Sequence, residues 1–209
     1  MLTKNLSAYI DELSSNSPTP GGGNVSALCG VLSASLGVMV CNLTIGKKKY
    51  AEVEEEMKAI KDKLEGYKTL FINFADKDNE AFDKVMEAFK LPKETDEQKS
   101  LRENKIDEAT FEAASVPADV IRLCSEVIPL IETVSRKGNK NSASDAGVAA
   151  LLISTAAQGA FLNVAINCSS LRNQTIAAEV LKKAEIYTED VKKQSAYIVD
   201  KLNKELTAK

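Results

Sequence analysis

The chain contains no histidine. That removes the usual proton shuttle at neutral pH and the commonest metal ligand, so acid–base chemistry falls to carboxylate, lysine or tyrosine. Cysteine is sparse: Cys29, Cys41, Cys124 and Cys168 stand singly in apolar stretches. With no C-x-x-C pair, the spacing gives no zinc site or redox couple, and the four read as buried reduced thiols. There is no excess of basic charge, since the formal net charge is -3. Nucleic acid and anionic membrane therefore have little to attract them over the whole surface, although a local patch can still take a small or anionic ligand. No alternating strand, repeat or low-complexity segment is present, so the expected class is all-α. The N-terminus lacks a basic region followed by an apolar core and a cleavage site, which makes the cytoplasm the expected compartment. A length of 209 residues suits one domain spanning 1–209, with a core that needs neither disulfide nor structural metal.

Charge is also missing from two long runs, Asn24 to Ile45 and Ala146 to Leu171. Each is long enough to cross a bilayer. Against insertion stand Asn42, Gln158, Asn163 and Asn167, the dominance of small residues, the lack of flanking aromatic belts, and a mean hydropathy of -0.17. The preferred reading is two central helices, apolar all round because other helices surround them.

The remaining segments read as amphipathic helices. Thr3 to Ser14 carries Leu6, Tyr9, Ile10 and Leu13 at helical spacing, and the segment PTPGGG ends it. Tyr50 to Lys90 carries a stripe through Met57, Leu64, Phe71 and Phe82, a helix of roughly 60 Å with Gly66 as the place for a bend. Thr95 and Gln98 fit a capping box that opens another helix. Val116-Pro117 is expected to break it, Pro129 to kink its successor and Gly138 to stop it. Ser144 is expected to cap the second uncharged helix, with Asp145 in its first turn, and Thr175 to Leu206 forms the last helix.

Four features can carry chemistry. Pro20, Gly21, Gly22 and Gly23 precede the first uncharged helix. They serve either as a plain turn or as a place where a ligand approaches backbone N–H groups; the Lys-Ser/Thr of a phosphate loop is missing and no strand precedes them. Lys47, Lys48 and Lys49 either answer the helix dipole or form a basic collar for a ligand with carboxylates. Asn139, Asn141, Ser144 and Asp145 each have a local reason in turn and cap geometry, yet both uncharged helices begin with donor-rich loops, which would meet if the helices packed in parallel. Asp78 is the sharpest signal, because continuing the stripe from Phe74 towards Phe82 lands on it. A core-facing carboxyl is either paired, with Arg102 or a lysine, or carries a pKa raised by desolvation.

In order along the chain, SPTPGGGNVSAL, GKKKY, DNEAFDKVMEAFKLPK, VP, GNKNSASDAGVAALL and LNVAIN resemble the cyclodeaminase/cyclohydrolase family, from about Leu6 to Leu171. The resemblance implies an all-helical fold that dimerises, uses no metal and no prosthetic group, and binds tetrahydrofolate in a cleft at the subunit contact. It also implies that Pro20 to Gly23, Lys47 to Lys49, Asp78, Asn139, Asn141, Ser144 and Asp145 fall on site positions. Asp78 is then the expected acid–base group and Asp145 an orienting one, with the lysines meeting the glutamate tail.

Two reactions follow from that likeness: hydrolysis of methenyltetrahydrofolate to 10-formyltetrahydrofolate, and cyclisation of formiminotetrahydrofolate with loss of ammonia. The first is the expectation, because the second needs a formiminotransferase, here a separate partner protein. A non-catalytic helical dimer that binds folate or protein is the alternative of another class.

Overall fold

Residues 5–208 are described by a computed structural model, and all regular structure among them is helical. Six α-helices follow one another: α1 (Leu6–Leu13), α2 (Gly22–Thr44), α3 (Glu54–Phe89), α4 (Asp96–Lys137), α5 (Ala143–Ser169) and α6 (Gln174–Thr207). Short 3-10 segments at Lys48–Val53 and Lys140–Ser142 lead into α3 and α5. Short connections make sequential neighbours antiparallel. Thr3, at the expected start of the first helix, lies outside the described residues.

Helix α2 packs on α3 through a register of seven. Gly23, Gly30 and Gly37 face Asp78, Phe71 and Leu64. A Cβ on Gly30 would stand 2.6 Å from the Phe71 ring, and one on Gly37 would stand 2.7 Å from Leu64. The missing side chains let the two helices close until Phe71 is fully buried, which is worth about 3 kcal/mol relative to an exposed ring. Met57, Leu64 and Phe71 extend the same row along α3. Asp78 is therefore the row's next member, as the periodicity predicts.

Helix α5 lies between α2, α4 and α6 and is lined by small residues, among them Ala146, Ala149, Ala150, Ala156, Ala157 and Ala160. Ser33 of α2 donates to the Ala149 carbonyl at 2.8 Å, and Ser195 of α6 donates to the Ala150 carbonyl at 2.7 Å. These bonds pin α5 from both sides.

Several expectations are corrected. Pro117 does not break its helix: α4 runs unbroken for 42 residues with Pro117 and Pro129 inside it. A mid-helix proline removes the N–H that would bond the carbonyl four residues earlier, and Asn167 of α5 supplies a donor to that Ala113 carbonyl at 2.8 Å instead. Helix α3 begins at Glu54 rather than Tyr50, because Tyr50 has a non-helical backbone within the 3-10 segment, and it runs as one helix through Gly66. The capping box at Thr95 and Gln98 is present with both of its hydrogen bonds, and Gly138 ends α4.

The two uncharged helices are not surrounded on all sides. Over their most apolar stretches, 56% of α2 and 44% of the segment containing α5 is buried. Leu32, Met39 and Leu43 on α2, with Val148, Leu151, Leu162 and Ile166 on α5, remain exposed. By length and composition both helices qualify to cross a membrane. In the bundle each gives one side to the core and leaves the other, uncharged side outward.

Candidate functional site

The segment before α2 forms one wall of a cleft of about 360 Å³, a size suited to a small-molecule ligand. Pro18, Thr19 and Gly21 to Gly23 line one side, and Asp78, Phe82, Asn163 and Asn167 are among the residues that line the rest. Pro20, joined to Thr19 by a cis peptide bond, is buried and does not line the cleft.

The glycines have distinct reasons. A Cβ on Gly23 would overlap the Asp78 carboxyl group, so glycine at this position is what lets the carboxyl lie against the start of α2. Gly22 faces the Asn163 amide, where a Cβ would be 3.6 Å from Nδ2. Gly21 is the N-cap and offers no capping side chain. Asp78 fills that role from another helix by accepting the backbone N–H of Asn24. Asn24 is wholly buried and ties three helices together: its Oδ1 accepts from the Tyr9 hydroxyl at 2.9 Å, and its Nδ2 donates to the Ala75 carbonyl at 2.8 Å.

Burial pushes the Asp78 carboxyl above the usual carboxylate range, and the Asn24 N–H pulls the other way with the smaller effect. Among the described residues no lysine or arginine pairs with it. Arg102, the expected partner, instead donates to the Phe89 carbonyl and lies over the Phe89 ring. A carboxyl that is partly desolvated, free of any ion pair and open to a cleft is suited to exchanging a proton with a ligand.

The second donor-rich loop is elsewhere. Helices α2 and α5 pack antiparallel, as the bonds from Ser33 to Ala149 and from the Asn139 N–H to Thr44 Oγ1 require. The two loops therefore lie at opposite ends of α2, about 35 Å apart for its 23 residues. What meets the Gly138–Asp145 loop is the end of α2 with Lys47 to Tyr50. Asn139 is buried and committed to structure: its Nδ2 donates to the Leu43 carbonyl at 2.9 Å, and its Oδ1 accepts from the Asn141 N–H at 3.1 Å. The Tyr50 hydroxyl accepts the Lys140 N–H at 3.0 Å.

Ser144 is not the cap. Helix α5 begins at Ala143 with Ser142 as N-cap, because the 3-10 turn runs straight into the helix, and Ser144 sits exposed within the first turn. Asp145 is in that turn as expected. Lys47, Lys48 and Lys49 are exposed, and among the described residues their ammonium groups form no ion pair; Lys49 lies over the Tyr50 ring, 5.6 Å from its centroid. The chain thus carries an acidic, backbone-rich cleft at one end of α2 and a basic cluster at the other.

Asn163 and Asn167 were not foreseen as cleft residues. The motif LNVAIN, with asparagines one helical turn apart in an uncharged helix, held the signal. The cysteines have no place in the site: all four are free thiols, and burial pushes Cys41 up to about 11 and Cys124 higher still.

Residues 5–186 match the formiminotransferase-cyclodeaminase family. The chain is 47% identical over 180 residues to a methenyltetrahydrofolate cyclohydrolase of Methylorubrum extorquens, a match covering 86% of each chain. It is 28% identical over 202 residues to the formimidoyltransferase-cyclodeaminase of Sus scrofa, of which the match spans 37%. A crystal structure of formiminotetrahydrofolate cyclodeaminase from Thermotoga maritima superposes with a TM-score of 0.82 at 33% identity, covering 95% of this chain and 97% of that one. With most of its length matched and its six-helix fold shared, this chain belongs to the formiminotransferase-cyclodeaminase family.

Proposed function

We propose that this chain is a methenyltetrahydrofolate cyclohydrolase that works as a homodimer. The observation that carries the reading is Asp78, an unpaired carboxyl raised by burial and held against a helix N-terminus in a cleft of ligand size. The cyclohydrolase relative at 47% identity supports the same reaction.

The substrate is a cation whose amidinium carbon bridges N5 and N10. A carboxylate beside it favours the charged form and activates water. Asp78 takes one proton as the water oxygen bonds to the bridge carbon. The tetrahedral intermediate then collapses: the bond from carbon to N5 breaks, its electron pair goes to N5, and N5 takes the proton that Asp78 held. The hydroxyl proton leaves to solvent as the formyl C=O forms, giving 10-formyltetrahydrofolate. The reading needs no prosthetic group, since folate is the substrate, and it places the protein in the cytoplasm, where its free thiols stay reduced.

The outward, uncharged side of α2 and α5 supports the dimer. A two-fold axis across this side pairs it with itself and sets the helices of the two copies antiparallel. Each Asp78 cleft is then brought to the basic end of the other copy, so Lys47 to Lys49 and Asp145 complete it. The lysines meet the glutamate tail and Asp145 orients a pterin nitrogen. Asn139 and Asn141 shape that end rather than touch the ligand.

The likeness to the Thermotoga maritima cyclodeaminase favours a second reading, in which Asp78 protonates ammonia leaving a formimino carbon. A spectrophotometric assay separates the two. The proposal expects methenyltetrahydrofolate to disappear with water as co-reactant. Its appearance from formiminotetrahydrofolate with ammonia release, without the hydrolytic reaction, would sink the cyclohydrolase reading.

A further inference from the structure

Two motifs, VP at Val116-Pro117 and the paired asparagines of LNVAIN, have no part in proton transfer, yet the structure joins them at the cleft wall. Asn163 and Asn167 sit one turn apart on α5, and both line the cleft. Each commits one N–H of its NH2 group to a backbone carbonyl. Asn163 Nδ2 donates to the Gly159 carbonyl at 2.9 Å, and Asn167 Nδ2 donates to the Ala113 carbonyl at 2.8 Å. Because both partners are carbonyl oxygens, only the NH2 group can face them, so the orientation of each amide follows from chemistry.

The consequence is a pair of uncommitted amide oxygens at the cleft wall. Neither Oδ1 accepts a hydrogen bond from any described residue. Pro117 is what makes this geometry possible at position 167. It lacks the N–H that would occupy the Ala113 carbonyl, which is left free for Asn167. A carboxylate or phosphate set against either Oδ1 would place acceptor against acceptor. A bare hydrocarbon face would strip water from both oxygens without replacing it. The matching ligand surface is a flat edge carrying N–H donors.

We propose that Asn163 and Asn167 hold the donor edge of the pterin ring, its exocyclic amine and adjacent ring N–H, and that Pro117 is a positioning residue acting through Asn167. This rests on the folate reading. Gly22 faces Asn163 and Gly23 faces Asp78, so neighbouring residues put the ring anchor and the proton-transfer group on one side of the ligand.

The test is equilibrium binding of 5-formyltetrahydrofolate and of its 2-desamino-2-methyl counterpart to the full chain and to Asn163→Ala, Asn167→Ala and Pro117→Ala. The wild-type chain is expected to prefer the amine-bearing ligand by about tenfold to a hundredfold, the range for leaving a buried acceptor unpaired. Each asparagine variant should lose most of that preference, binding the amine-bearing ligand more weakly and the other nearly unchanged. Pro117→Ala, whose restored N–H competes for the Ala113 carbonyl, should do the same, raising KM with kcat within a few-fold. Should Asn167→Ala or Pro117→Ala fail to fold, Asn163→Ala still decides, because its amide bonds only its own helix. Variants that keep the preference, or weaken both ligands equally, overturn the proposal while leaving the folate reading intact. A wild-type chain that binds neither ligand overturns both.

Discussion

Replacing Asp78 by asparagine separates its two roles. The carboxyl accepts the Asn24 N–H at the start of α2, and an asparagine oxygen caps a helix about as well as an aspartate. The shape and the cap are therefore kept, and proton transfer is lost. Removing a positioned acid–base group costs about a hundredfold to ten-thousandfold in kcat, or about 3 to 5 kcal/mol of barrier. Folate binding should change far less. Stability moves the other way. Because burial raises the folded-state pKa of Asp78, its favourable contribution is present below the ordinary carboxyl range and is lost as pH rises through the raised value. The neutral amide has no such loss, so Asp78→Asn should gain on the wild type in urea unfolding as pH rises from the ordinary carboxyl range through the raised value. In the wild type, kcat/KM should fall as pH drops through that same raised value, and the variant should lack this limb. Turnover within threefold of wild type, or a stability gap indifferent to pH, would refute the reasoning.

Three further outcomes follow. Gly23→Ala puts a methyl group where the Asp78 carboxyl lies, so stopped-flow turnover should fall towards that of Asp78→Asn, and combining the two should lower it no further. Thr95→Ala removes the cap of α4, far from the cleft; it should cost about 1 kcal/mol in denaturant unfolding with turnover unchanged. Leu162→Glu charges a residue that is 70% exposed on the outward side of α5; sedimentation should show monomers, with helical circular dichroism retained and turnover lost.

Much of the fold is written in short-range pattern. The row through Met57, Leu64, Phe71 and Asp78 repeats every seven residues, so a carboxyl in a core-facing position is legible without coordinates. The matching row Gly23, Gly30 and Gly37 has the same spacing, but its meaning depends on which helix it meets. Pro117 misled because the partner that makes it tolerable, Asn167, stands fifty residues away in sequence. The relation of the two donor-rich loops was hidden for a similar reason: composition does not reveal that α2 and α5 run antiparallel. The uncharged runs pointed to burial on every side, whereas each buries one side in the bundle and leaves the other outward. Asn139 was found by its motif, but its amide turned out to be occupied by Leu43 and Asn141.

In the proposed dimer each site is shared between two copies, with Asp78 from one and the basic end from the other. Mixing Asp78→Asn chains with chains altered at Lys47 to Lys49 and Asp145, each inactive alone, and allowing subunits to exchange tests it directly by methenyltetrahydrofolate hydrolysis. Half of the dimers would then be mixed, each with one intact site, so about a quarter of wild-type activity should return. A mixture that stays inactive although the subunits have exchanged would contradict the shared site.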